Sequence, residues 1–298
     1  MTVDQFRCSE EAIARAEPIF ATASVVSAWL LIEQPGAWGP DALMESKFPR
    51  DIGAELQRRA GGVRILLIRH RTRSRTDLRF FKAHSGGAMS EPAVVEVPLE
   101  DPADLLGVDF GGLANGDVGA GVTVDHPIYL VCTHGRHDIC CADKGRPLYR
   151  TMSELRPDET WEVSHLGGDR FAGNMLVLPR GDYFGRVEPE DAASLVAAYE
   201  EGRLDVEHHR GRSIQPRLLQ AAEHFIRTAE GLDEFGALTT VAYRRPEHDR
   251  AEAVFAHGGG TIRVEVMAHQ LPALSLMTCR AERQRHQVAY ELVSVSHD

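Results

Sequence analysis

Between Cys132 and Asn174 the chain reads CTHGRHDICCADKGRPLYRTMSELRPDETWEVSHLGGDRFAGN, which holds three of its five cysteines and a histidine and aspartate spaced four apart, His165 and Asp169. Thiolate and imidazole hold soft and borderline metals, and here they stand in two short clusters separated by a helix-length spacer. The stretch reads as a metal site. Structural zinc usually draws its ligands as close pairs on a knuckle, whereas Cys132 and Cys141 are separated by eight residues that read as a loop. A wide loop can wrap an object larger than one ion, and a two-iron cluster has that size. Spacing alone leaves a cluster and mononuclear zinc equally open.

The elements that must position these side chains follow from periodicity. From Pro127, PIYLVC reads as a buried strand, PLYRTMSELR as a helix and WEVSH as a second strand. DRFAGN holds a short helix, MLVLPRG and YFGRV are a strand pair, and DAASLVAAYEEG is a helix opened by Pro189 and closed by Gly202. This βαβαββα order is the thioredoxin-like one, and the crossover rule makes the first two strands parallel. Cys132 ends the first and His165 the second, so both sit at the sheet edge where open α/β sheets place ligands.

Upstream, VVSAWLLIEQPGAWG is a strand running into a turn, DIGAELQRRAGG a helix, and VRILLIRHR, LRFFKAH and AVVEVPL are strands, an order that resembles the downstream one. Glycine-rich ANGDVGAGVTV marks a boundary near residues 114 to 124. Beyond it, RGRSIQPRLLQAAEHFIRTAEG is an amphipathic helix starting near Pro216. ALTTVAYRR, AEAVFAH, TIRVEVMAH and QVAYELVSV then alternate as an antiparallel sheet. The expected class is α/β with three parts: an N-terminal α/β domain without metal ligands (1–120), a thioredoxin-like domain (125–232) and a small C-terminal β-rich appendage (233–298).

At 298 residues, 43% hydrophobic, the chain is an ordinary globular sequence. Its net charge of -11 argues against nucleic acid or an anionic membrane surface as partner. The opening MTVDQFRCSEEAIARAEPIF lacks the charged start and apolar run of a secretory signal, and no apolar segment approaches a bilayer span. A cytoplasmic location is expected, where clustered thiols bind metal or do redox chemistry more often than they form disulfides.

CTHGRHDICC, followed by HLGGDRFAGN and LPRGDYFGRV, resembles the sucrase/ferredoxin-like family, which includes fungal proteins with a thioredoxin-like [2Fe-2S] ferredoxin domain. The resemblance is strongest over about residues 127 to 200, and WLLIEQPGAWG resembles bacterial members. It implies a [2Fe-2S] cluster with Rieske-like ligands, two cysteines on one iron and two histidines on the other. Cys132 and Cys141 match the cysteine positions and His165 the first histidine. At the second, the expected H-x-x-x-H reads HLGGD, which places Asp169 in the ligand position. A carboxylate binds ferric iron and, as a harder anionic ligand, lowers the reduction potential relative to a second histidine. His134, His137 and Cys140 are the reserve ligands. The resemblance implies one-electron transfer with a redox partner protein or a small-molecule acceptor: a redox carrier or reductase component rather than a hydrolase.

Other readings stand beside this one. A zinc-stabilised binding module would use the same donors without redox chemistry, and thiol-disulfide exchange would use Cys140 and Cys141, though the C-x-x-C spacing is absent. Cys140 reads as a small buried hydrophobe, His134 and His137 as loop donors, and Cys8 and Cys279, isolated in unrelated segments, as packing residues. Nothing singles out a carboxylate pair for glycoside hydrolysis, and no Walker A or GxGxxG follows a strand.

Overall fold

The run IYLVC at 128–132 is buried on both faces, as an uninterrupted apolar strand must be. It lies near the middle of a ten-stranded mixed sheet in the computed structural model, which describes residues 6–70, 77–87 and 90–298. The chain opens with α1 (Cys8–Ala14), then β1 (Ala28–Glu33), α2 (Arg50–Arg59), β2 (Val63–Arg69), β3 (Arg79–Ser85), β4 (Pro92–Pro98), α3 (Phe110–Ala114) and β5 (Val122–Thr123). The last residue of the strand expected over 63–71 lies outside the described residues, as do the first five of the chain. Next come β6 (Ile128–Cys132), α4 (Ile139–Leu155), β7 (Thr160–Val163), a 3-10 turn at Asp169–Phe171, β8 (Met175–Leu178), β9 (Asp182–Phe184), α5 (Ala192–Glu200), β10 (His209–Arg212) and α6 (Arg217–Glu230). A four-stranded antiparallel sheet follows, built from β11 (Thr239–Arg244), β12 (Arg250–His257), β13 (Gly260–Ser275) and β14 (Arg285–His297). The molecule is therefore mixed α/β.

The large sheet has the order β10-β9-β8-β6-β7-β2-β1-β3-β4-β5. Strand β6 is parallel to β7 and antiparallel to β8, which pairs with β9. In the same way β1 is parallel to β2 and antiparallel to β3, which pairs with β4. The two halves thus repeat one strand order. They join where β2 runs antiparallel to β7 through Ile68–Val163 and Arg69–Glu162, so backbone pairing runs across the two segments expected at 1–120 and 125–232. Arg69 Nε sits 2.9 Å from Glu162 Oε2 at this seam.

Side-chain alternation assigns each strand's residues to two faces. Trp29 and Leu31 of β1 pack with Leu130 and Cys132 of β6, and with Trp161, in a core common to both halves. The opposite faces are covered separately. Ala28, Leu30 and Ile32 pack with Leu56 of α2, while Tyr129 and Val131 pack with Leu148 and Met152 of α4 and Leu195 of α5. Helix α6 turns its apolar face to the C-terminal sheet, where Leu218, Ala222 and Ile226 meet Ala253, Phe255 and Val264. No helix among the described residues is long and apolar enough to cross a membrane.

Helix α4 begins eight residues before the expected Pro147 start, with Asp138 as its cap: the carboxylate accepts from the Cys140 amide at 2.9 Å. Pro147 lies inside the helix. The segment between Cys132 and Cys141, read as a loop throughout, is therefore a loop only to Asp138. Helix and strand approach closely, because a Cβ on Gly145 would lie 1.9 Å from the Cys132 carbonyl oxygen. We expect Gly145→Ala to force the helix off the strand and cost about 1–3 kcal/mol, measurable as a shifted urea midpoint; an unchanged midpoint would show that the contact is not tight.

Asp182 of β9 is fully buried and accepts from Arg180 Nε at 2.9 Å, Tyr199 Oη at 2.8 Å and the His209 ring at 3.2 Å, tying β9 to α5 and β10. Burial alone would raise its pKa, but Arg180 and His209 hold it well below the ordinary carboxylate range. The stability this contributes is present above the unfolded-state value and is lost as pH falls below about 4. At neutral pH Asp182→Asn should cost about 3 kcal/mol, and the gap to wild type should narrow as pH is lowered through that range; a constant gap in urea titrations would contradict this linkage.

Candidate metal centre

Cys132 is the last residue of β6 and points into the shared core, while Cys141 lies in the first turn of α4 and is delivered to the same core. Parallel pairing sets Cys132 beside Val163, the last residue of β7, so the segment from Ser164 to Asp169 starts at the same sheet edge. The N-terminal half holds that segment. The Leu67 amide donates to Ser164 Oγ at 3.0 Å, and Arg64 donates to the His165 carbonyl at 2.8 Å.

The turn between His165 and Asp169 needs glycine. Gly167 and Gly168 have φ of +92° and +81°, and a Cβ on Gly168 would lie 2.4 Å from the Arg210 guanidinium. Arg210 is buried and donates to the Gly167 carbonyl at 3.0 Å, the Thr22 carbonyl at 2.8 Å and Asn174 Oδ1 at 2.7 Å. Asn174 in turn donates to the Gly168 carbonyl at 2.8 Å. Next along the chain, Arg170 pairs at 2.7 Å with Glu17, a buried carboxylate that also accepts from Gln287 of β14. Arg180 and Arg186 are likewise tied down, on Asp182 and on the carbonyls of Ala12 and Glu17, rather than facing the cysteines.

The result is a convergence of the four expected side chains. Donor atoms of Cys132, Cys141 and His165 lie within 4.8 Å of one another, and so do those of His137, His165 and Asp169. Asp169 Oδ1 stands 2.9 Å from His165 Nδ1 and accepts from Cys141 Sγ at 3.2 Å. The imidazole nitrogen is buried, and its contact with the carboxylate lacks hydrogen-bond alignment, so Nδ1 has no directed partner. Both cysteines are 1% exposed and the Asp169 side chain 2%, while the His165 side chain, at 25%, reaches an open cleft.

The electrostatics suit a cation. Donation from Cys141, with the nearby His165, outweighs burial and pulls the Cys132 thiol well down, whereas Cys141, as the donor and in a buried place, is pushed up. Burial would lower the His165 pKa, but Asp169 and the Cys132 sulfur overcome it and raise it to about 9. Asp169 is held low by His165 and Cys141 despite its burial. Two thiols, an imidazole nitrogen without a directed partner and a carboxylate form a mixed S/N/O donor set that fits a thiophilic metal or an iron-sulfur cluster.

The reserve candidates divide. His137 joins the site, its ring stacked on His165 at a centroid distance of 3.7 Å. His134 is anchored through Nε2 to the Gly39 carbonyl at 2.7 Å and stands edge-on to Trp38. Cys140 turns away and packs with Cys8, Ala172 and Cys279. Cys8 and Cys279, expected to be isolated packing residues, thus meet each other and Cys140. Sequence reading also missed Arg210 and Asp138. An aspartate ahead of an apolar helix is a cap signal that could have located Asp138, but nothing local marks Arg210, whose partners are mostly carbonyls.

A stretch of 95 residues, 28% of this chain, is 32% identical to Altered inheritance of mitochondria protein 32 of Meyerozyma guilliermondii, and 96 residues are 29% identical to the protein of that name in Clavispora lusitaniae. The matches span only about a third of those proteins' own length, 34% and 35%. Among solved structures, two cysteine-to-serine variants of the thioredoxin-like [2Fe-2S] ferredoxin from Aquifex aeolicus align with 26% of this chain and 89% of theirs, at 19% identity and a TM-score of 0.23. The sucrase/ferredoxin-like family model matches residues 19–211, more than half of the 298, and the chain belongs to that family.

Proposed function

We propose that the chain is a one-electron carrier with a [2Fe-2S] cluster held by Cys132, Cys141, His165 and Asp169 in a thioredoxin-like unit. The observation that carries this reading is the meeting of these side chains at one sheet edge, with the His165 Nδ1 left without a directed partner. When bound, the cluster supplies a reversible one-electron change at low cost in reorganisation. Cys132 and Cys141, deep in the shared core, would hold the cluster's buried side. His165 and Asp169 would hold the other, and the partly exposed His165 gives that side its route to solvent.

The chain's own residues set the conditions of transfer. Gly167 and Gly168, clamped by Arg210 and Asn174, fix where His165 and Asp169 stand. A redox partner protein or a small acceptor would approach over the cleft lined by Pro40, Leu43, Arg64, Leu66, His137 and His165. The free thiols call for a reducing compartment, the cytoplasm being the expected one.

Anaerobically purified protein should contain about two iron and two sulfide per chain and give a paramagnetic signal on reduction. A colourless preparation loaded with zinc at Cys132, Cys141 and His165 would end the electron-transfer reading in favour of a zinc-stabilised module. With iron present, Asp169→Ala should alter the reduced spectrum and raise the potential, since a hard anionic ligand is lost; an unchanged spectrum would remove Asp169 from the iron, and the same measurement on His137→Ala would show whether that ring takes its place.

A further inference from the structure

The three cysteines outside the conducting site form a second cluster. Cys8 comes from α1, Cys140 from the first turn of α4, and Cys279 from the segment between β13 and β14. Their sulfurs are 3.4 Å (Cys140–Cys279), 3.5 Å (Cys8–Cys279) and 3.8 Å (Cys8–Cys140) apart. Asp138 stands over them, its carboxylate oxygens 3.7 and 3.8 Å from the Cys8 sulfur. All four donor atoms lie within 4.8 Å of one another, and Cys8, Cys140 and Asp138 are each 1% exposed.

These separations have a specific meaning. A tetrahedral ion with bonds of about 2.3 Å to sulfur and about 2.0 Å to carboxylate oxygen sets sulfurs about 3.8 Å apart and sulfur to oxygen about 3.5 Å apart. The four donors are already near that spacing. A disulfide would need two sulfurs at about 2.05 Å, and a two-iron cluster takes no more than two thiolates on each iron, so a third would stand farther from the first two than these three stand from one another. The two amides that Asp138 accepts, from Cys140 at 2.9 Å and Cys279 at 2.7 Å, orient its carboxylate toward the thiols. Among the described residues no lysine or arginine pairs with Asp138, so the buried acidic group lacks a cationic side chain to compensate it.

We propose that Cys8, Cys140, Cys279 and Asp138 form a closed structural site for a single zinc ion. It binds the start of the chain and the C-terminal sheet to the end of α4 that carries Cys141. Cys140 and Cys141, consecutive on one helical turn, thereby serve two metals. Four protein ligands leave no open position, so the ion staples and does not catalyse. This inference is independent of the proposed iron-sulfur site, because iron and zinc are counted separately.

Metal analysis of the full chain, purified anaerobically, should find one zinc per chain beside the iron, and Cys8→Ser/Cys279→Ser should lose the zinc while keeping the iron. A strong zinc chelator applied to wild type should release the ion, make Cys8, Cys140 and Cys279 reactive to a thiol reagent and leave iron in place. Added Co2+ should then restore protection with thiolate-to-cobalt charge-transfer absorption. Iron-loaded wild type that holds no zinc and takes up neither Zn2+ nor Co2+ would overturn the proposal. So would zinc retained in the double variant, a disulfide among the three cysteines, or iron found in their place.

Discussion

The carboxylate of Asp138 governs both cysteine clusters. By accepting the Cys140 amide it fixes where α4 starts, and that start places Cys140 and Cys141 in a regular helical turn. Consecutive helical residues differ by about 100° in direction, so two adjacent thiols that a loop would leave free are sent to different faces of the helix. Cys141 enters the core beneath the sheet edge, and Cys140 meets Cys8 and Cys279. The same carboxylate accepts the Cys279 amide and thereby reaches the C-terminal segment.

The charge distribution at the sheet edge explains the surrounding scaffold. Cys132, Cys141 and Asp169 are buried, and His165, its pKa raised against burial to about 9 by Asp169 and the Cys132 sulfur, is the cation set among them, with the His137 ring stacked on it. Arg210 stands apart from this balance: it is spent on the carbonyls of Gly167 and Thr22 and on Asn174. Its buried cationic fork organises the backbone around the donors while the donors remain available. Burial brings its own pKa down to about 10, the cost of using a guanidinium as an internal strut.

The N-terminal half, which carries none of the proposed iron ligands, is nevertheless part of the site. Leu67 and Arg64 hold the segment bearing His165, the Gly39 carbonyl holds His134, and Pro40, Leu43 and Leu66 line the cleft. The two halves have the same strand order and share a core face centred on Trp29, Leu130 and Trp161. The same strand order thus occurs in both halves, while the proposed iron donors stand in the second.

Much of this was legible in local pattern. The apolar runs of β1, β2, β6 and β8, the glycine stop of α2, the Pro216 start of α6 and the alternation of the last four strands are all period and turn signals, and each produced its element. The meeting of Cys132 and His165 also followed from sequence, because a parallel strand pair joined by one helix brings its carboxyl ends together, while Cys141 and Asp169 were expected beside them from the family resemblance. Pro147 misled because proline usually opens a helix; here the capping energy of Asp138 and the packing of Gly145 on Cys132 carried the helix through it. What sequence could not give was anything set by residues far apart along the chain. Cys8 and Cys279 are 271 positions apart, Arg210 meets Thr22 from the other end of the sheet, and β2 meets β7 across a glycine-rich segment that reads as a boundary. Spacing encodes contacts within a turn or a crossover. Contacts between segments depend on which buried faces and unpaired strand edges must satisfy one another, and only the assembled tertiary structure decides that.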